Sequence, residues 1–199
     1  MKIFGISCSP RKGKSTRVAL EACLQAVKET APDAESALIE LAEMKINGCV
    51  ACGKCMKVLE CSQEDDFPKM IPILSDPELA GLVVATPVYL GSMTSQCKAF
   101  LDRCVMFRRN GFLFQNKVGG VIAVGGVRNG GQELTIQSVQ AAMLVQDMVV
   151  VSEGRPTSHY GATLWSGHPD GIEKDTIGLE TARNLGRRVA EVAARMHRK

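Results

Sequence analysis

The feature that most constrains this chain is a regular exchange of short apolar runs with longer segments of helical length. Residues 2–7 (KIFGIS), 81–85 (GLVVA) and 118–124 (VGGVIAV) are strand-length and almost wholly apolar, and 147–151 (DMVVV) adds another such run. Residues 35–41 (ESALIEL) instead alternate polar and apolar, as a strand near a sheet edge does. Between these lie helix-like stretches at 15–30, 95–109, 131–146 and 173–196, with a shorter one near 68–74. Strands that are apolar on both faces need cover on both faces, so the alternation predicts a parallel sheet with helices on either side.

Five such strands suit the flavodoxin-like order 2-1-3-4-5, a doubly wound α/β sheet, here with a cysteine-rich insertion after strand 2. At 199 residues and 45% hydrophobic content the chain can bury one substantial core, so one domain over 1–199 is expected. Residues 152–172 are rich in Gly, Pro, Ser and His and lack periodicity; they read as a long loop, with an intersubunit arm as one use for it. Open parallel sheets bind ligands beyond the carboxyl ends of their strands, near the point where strand order reverses. That rule selects loops 8–16, 86–94 and 125–131.

A net charge of +3 gives no case for nucleic acid or for an anionic membrane surface. The basic residues of the last helix (Arg183, Arg187, Arg188, Arg195, Arg198 and Lys199) read as a solvated face. No stretch has the length and apolarity of a membrane span, and no signal-peptide core follows the N-terminus, so a cytoplasmic protein is expected. In that compartment thiols stay reduced, and a tight cysteine group favours metal, cluster or redox chemistry over disulfides.

The first loop, Ser7-Cys8-Ser9-Pro10-Arg11-Lys12-Gly13-Lys14-Ser15-Thr16, offers hydroxyls, an arginine and the amides of a helix start, which suit a phosphate monoester. Ser15 and Thr16 also read as plain helix caps. Gly13-Lys14-Ser15 matches the end of a nucleotide-binding P-loop, but Cys8 stands where that motif needs glycine, and GLVVA runs into Thr86-Pro87 rather than a metal-binding Asp. The second loop, Thr86-Pro87-Val88-Tyr89-Leu90-Gly91-Ser92-Met93, could support the edge and face of a planar heterocycle, or be an ordinary turn. The third, Gly125-Gly126-Val127-Arg128-Asn129-Gly130-Gly131-Gln132-Glu133, lets main-chain N–H groups approach a ligand closely. Arg128 belongs either to that field or to the surface.

Cys49-x2-Cys52-x2-Cys55-x5-Cys61 places four thiols within thirteen residues, a set that can wrap a [4Fe-4S] cube with one sulfur per iron. Zinc and free, redox-active thiols are the alternatives. Cys8, Cys23, Cys97 and Cys104 are scattered and read as small buried apolar residues. His159, Trp165 and His168 could line a substrate pocket, or serve a surface or interface.

Ser9-Pro10-Arg11 with Ser15-Thr16, Pro87-Val88-Tyr89 with Gly91-Ser92, Lys98-Ala99-Phe100-Leu101-Asp102-Arg103, and Gly131-Gln132-Glu133 together resemble the NADPH-dependent FMN reductase superfamily. The cysteine spacing followed by Asp65-Asp66 resembles its iron–sulfur flavoproteins. The superfamily has Gly where Cys8 stands and Asn where Ser15 stands. The resemblance implies FMN, with its phosphate at Ser9, Arg11, Ser15 and Thr16 and its ring against Pro87, Val88, Tyr89, Leu90, Gly91, Ser92, Gly125, Gly126, Arg128 and Gly130. It implies a cluster on Cys49, Cys52, Cys55 and Cys61, a homodimer or homotetramer, and ferredoxin or NAD(P)H as electron donor. No side chain is expected to act as acid or base, because the cofactors carry the chemistry. The rival functions are a cluster-free NAD(P)H-dependent FMN or quinone reductase and a non-enzymatic thiol redox sensor.

Overall fold

The computed structural model describes residues 1–197. Arg198 and Lys199, counted above in the basic face of the last helix, lie outside the described residues. Strands β1 (Lys2–Ser7), β2 (Glu35–Glu40), β3 (Leu79–Pro87), β4 (Val118–Gly125) and β5 (Val149–Val150) stand in the order β2-β1-β3-β4-β5, all parallel. The strand order therefore reverses between β1 and β3, as the flavodoxin-like reading requires.

A further strand, β6 (Ala162–Trp165), also pairs with β4, at Ile122–Gly125, while β5 pairs with Val118 and Gly119. Two short strands thus share the fifth position, and the chain leaves the sheet between them. This corrects the reading of 152–172 as a loop throughout. The sequence concealed β6 because four residues between Gly161 and Ser166-Gly167 carry too little periodicity to register. Ala162 and Leu164 nevertheless turn into the core.

Helices α1 (Ser15–Thr30) and α6 (Thr176–His197) cover one face of the sheet, around Ile3, Leu20, Val27, Leu185 and Val189. They cross closely: a Cβ at Gly186 would run into the carbonyl of Cys23. The other face carries α3 (Ser95–Arg103), α4 (Val105–Arg109) and α5 (Gln132–Val145), following the one-turn α2 (Ile71–Leu74). Its core is aromatic, with Phe107 stacked on Phe114 at 4.8 Å and Phe67 tilted against Phe100 at 6.2 Å. The helix expected over 95–109 is broken at Cys104, whose N–H is shared between the carbonyls of Phe100 and Leu101. No helix among the described residues is long and apolar enough to cross a membrane.

The parallel register aligns Ser7 with Glu40 on one side and Ala85 on the other, and Pro87 with Val124. The three selected loops and the cysteine segment therefore leave the sheet at one rim.

Candidate functional site

Three contacts gather the loops at that rim. Thr94 caps α3, its hydroxyl accepting from the Cys97 N–H at 3.1 Å and donating to the Cys8 carbonyl at 2.8 Å, while its own N–H reaches the Thr86 hydroxyl at 3.2 Å. The Val88 N–H donates to the Val124 carbonyl at 3.0 Å, joining the second loop to the strand that launches the third. Gly131, at φ +95°, brings its backbone so close that an added Cβ would lie 3.1 Å from the Gly91 Cα. Neither Thr94 nor the Gly131–Gly91 approach was among the residues singled out from sequence. Helix-capping preference could have flagged Thr94 alone.

In the first loop Ser9 is buried, and its hydroxyl accepts from the Arg11 N–H at 3.1 Å. Thr16 is buried at the start of α1, Ser15 is half-buried, and Arg11 is exposed. No side chain caps this helix, so the orphan amides of its first turn stay available to an anion. The Gly13 N–H is already taken by Glu40, at 2.9 Å.

The second loop turns back at Leu90 and Gly91, with paired Tyr89–Ser92 backbone bonds of 2.8 and 3.1 Å. Tyr89 is half exposed and Leu90 stands clear of the surface, presenting an aromatic and an aliphatic face beside the other two loops. In the third loop the Gln132 carboxamide accepts from Gly130 N–H at 2.8 Å and donates to Val127 O at 2.6 Å, fixing the turn. Gly125 and Gly126 are braced from outside, where Ser166 N–H reaches Gly125 O at 2.9 Å and Trp165 Nε1 reaches Gly126 O at 3.0 Å. Arg128 is drawn away toward this brace: it pairs with buried Asp175 and lies 5.5 Å over the Trp165 ring. His168 meets the edge of Trp165 at 5.1 Å, whereas His159 is engaged apart, with buried Glu153 at 2.9 Å.

The cysteine segment is almost without regular structure, apart from one 3-10 turn at Lys54–Met56. Its two ends zip together. Asp66 accepts from the Lys45 N–H at 2.7 Å, Asp65 from the Asn47 N–H at 2.9 Å, and the Gln63 amide donates to Gly48 O at 2.9 Å. Arg103 locks this closure from α3, donating to both Asp65 oxygens at 2.7 and 3.1 Å and to Asn47 O at 3.0 Å. Burial pushes the Asp65 carboxyl up, but the guanidinium and the amides of Asn47 and Phe67 override this and hold it below the ordinary carboxylate range.

Within the closed loop Cys49, Cys52, Cys55 and Cys61 all line one cavity, with Met106 of α4 as part of its apolar wall. Cys52 Sγ lies 2.9 Å from the Ser62 hydroxyl, which with backbone N–H groups draws the thiol below its usual value. Arg109 donates to Cys55 Sγ at 3.3 Å. Among the described residues these sulfurs are not drawn into a tight group able to hold a single ion as they stand. Four thiols around a common cavity beside cationic side chains instead fit a multi-atom, net-negative group. The other four cysteines are buried, and burial pushes the thiols of Cys8, Cys23 and Cys104 well up, Cys23 to about 12. They are core residues, and Cys8 and Cys97 lie beneath the first loop's tether.

A rim of three convergent loops at the switch point of a 2-1-3-4-5 sheet defines a flavodoxin-like nucleotide-binding protein. A solved flavodoxin, WrbA-like protein from Agrobacterium tumefaciens shares the fold, with a TM-score of 0.62 at 22% identity over 98% of each chain. An iron–sulfur flavoprotein of Methanocaldococcus jannaschii is 41% identical over 96% of this chain and 97% of its own, and one of Methanosarcina thermophila is 38% identical over 96% and 95%. With residues 1–163 matching its NADPH-dependent FMN reductase model, the chain belongs to the NADPH-dependent FMN reductase family, among the iron–sulfur flavoproteins. It is an FMN-dependent oxidoreductase.

Proposed function

We propose that the chain works as one FMN-binding domain in which residues 47–66 carry a [4Fe-4S] cluster, and that it passes electrons between cluster and flavin. In this reading Ser9, Arg11, Ser15 and Thr16 hold the phosphate with the free amides of α1. Pro87, Val88, Tyr89, Leu90, Gly91 and Ser92 flank the ring, Gly125 and Gly126 present main-chain N–H groups to its edge, and Gly130, whose N–H is held by Gln132, lets the backbone approach it closely. Arg128 contributes by fixing that loop through Asp175 and Trp165. Cys49, Cys52, Cys55 and Cys61 supply one thiolate each to the cluster.

The observation that carries this is the closed loop: four cysteines line a single cavity, sealed by Arg103 and Asp65, and the loop leaves the rim that holds the FMN loops. A groove lined by Pro10 of the first loop and by Met44, Asn47 and Gly48 runs between the two sites. Flavin chemistry accommodates two electrons whereas a cluster takes one, so the pair suits exchange between hydride and single-electron donors. The family name supports NAD(P)H as donor; a ferredoxin-like protein is the single-electron counterpart. Val50, Met56 and Val58 are exposed on the cysteine loop and support packing of that loop on another copy, as a cytoplasmic homodimer or homotetramer.

The test is anaerobic purification and reconstitution, with iron, sulfide and flavin quantified per chain. About four irons and four sulfides with one FMN are expected, and the Cys61→Ser chain should lose iron while keeping flavin. Flavin without iron in the reconstituted wild-type protein would leave the cluster-free reductase reading in its place.

A further inference from the structure

Two arginines face the cysteine cavity, and one is incompletely explained by the protein around it. The Arg103 side chain is only 2% exposed, with its terminal nitrogens committed to Asp65 and Asn47 and its guanidinium 4.6 Å over the Phe67 ring. Its Nε, also buried, makes no hydrogen bond among the described residues. A buried N–H without a partner is costly and rare, so it calls for a reason. The same side chain lines the cavity of the four cysteines, Cys61 among them.

Arg109 lines that cavity from α4. It is exposed, donates to Cys55 Sγ at 3.3 Å, and shares the cavity with Cys49 and Cys52. Between the two cations Val105 and Met106 form an apolar wall. The arrangement is a pair of positive charges at one cavity of sulfurs, the buried one holding an unused donor.

Resting on the cluster reading above, we propose that Arg103 and Arg109 are positioning residues for the iron–sulfur group, donating to the sulfurs of Cys61 and Cys55 and raising its reduction potential. Reduction adds one negative charge inside the chamber. A fixed cation favours the more negative state, and more strongly where water is scarce. A donor on a ligating sulfur acts in the same direction.

The experiment is a potentiometric titration of the reconstituted, flavin-loaded protein followed by electron paramagnetic resonance, on wild type, Arg109→Gln, Arg109→Lys and Arg103→Lys. Arg109 is exposed, so its variants should fold, and thermal melts check this. Arg109→Gln should disfavour the reduced cluster about tenfold, a fall of about 59 mV for a one-electron couple. Arg109→Lys should recover part of the shift. Arg103→Lys, which keeps a charge for Asp65 but removes Nε, should lower the potential or the iron content. Unchanged potential at full iron content in both Arg109→Gln and Arg103→Lys overturns the inference and leaves the cluster reading standing. No iron in reconstituted wild type overturns both.

Discussion

Arg103 on α3 and Asp65 at the end of the cysteine segment form a two-pronged ion pair, 2.7 and 3.1 Å, with both side chains almost completely buried. The pair converts the 26-residue crossing between β2 and the 3-10 turn Phe67–Met70 into a closed loop, because Asp65 simultaneously holds the Asn47 and Phe67 amides. The four cysteine sulfurs are thereby mounted on the same layer of helices that packs beneath the three rim loops.

Breaking this pair should cost about 3–5 kcal/mol, since it leaves a buried guanidinium uncompensated. Asp65→Asn is expected to unfold at correspondingly lower urea. The folded carboxyl titrates below its unfolded value of 3.8, so its stabilisation is complete above that value and drains away as pH falls through the folded one. Wild type should therefore lose stability steeply in the acid range, and Asp65→Asn less steeply. Urea midpoints measured from neutral to acid pH decide this; parallel curves would contradict the assignment.

Thr94 ties the first loop to the second through a buried hydroxyl that both donates and accepts. Thr94→Val preserves shape while leaving the Cys8 carbonyl and Cys97 N–H unpaired, at about 1–3 kcal/mol. With half of that cost falling on the bound state, FMN binding should weaken about two- to tenfold, and Thr94→Ser should restore it. Flavin fluorescence quenching on titration gives the dissociation constants.

Gly131 and Gly126 separate backbone strain from ligand approach. Gly131→Ala forces a side chain into φ +95° and against Gly91, 3.1 Å away, and should destabilise the fold by about 1–2 kcal/mol or more. A Cβ on Gly126 meets nothing within 4 Å, so Gly126→Ala should melt like wild type yet retain less FMN. Equal flavin content in Gly126→Ala and wild type would remove this residue from the proposed ring site.

Arg11 is exposed, and its guanidinium makes no hydrogen bond or ion pair among the described residues, so Arg11→Gln should change stability by no more than about 0.5 kcal/mol. Loss of a charge-assisted bond to phosphate, about 1.5–3 kcal/mol, should raise the FMN dissociation constant at least about tenfold. Riboflavin, which lacks the phosphate, should bind both chains alike.

Much of the fold can be read from local pattern. KIFGIS, GLVVA and VGGVIAV are almost wholly apolar on both faces of the pleat, as strands covered on both faces are, and the helices between them favour parallel connections. The helix at 15–30 was found to the residue, because its periodicity and polar ends agree. The ATLW strand escaped because four residues can show no period, and because its place in the sheet depends on β4 offering a free edge beyond the end of β5.

At the site, the sequence by itself determined which segments come together: glycine, hydroxyl and cysteine spacings are local, and they named the three loops that meet at the rim and the four thiols that share a cavity. What it could not hold is which distant groups complete them. That Asp65 needs Arg103, that Thr94 binds Cys8 across 86 residues, and that Trp165 braces Gly126 are decided only when the sheet brings those positions together. The reason is physical. A buried charge or amide must find a partner wherever the fold supplies one, and sequence separation places no limit on where that is.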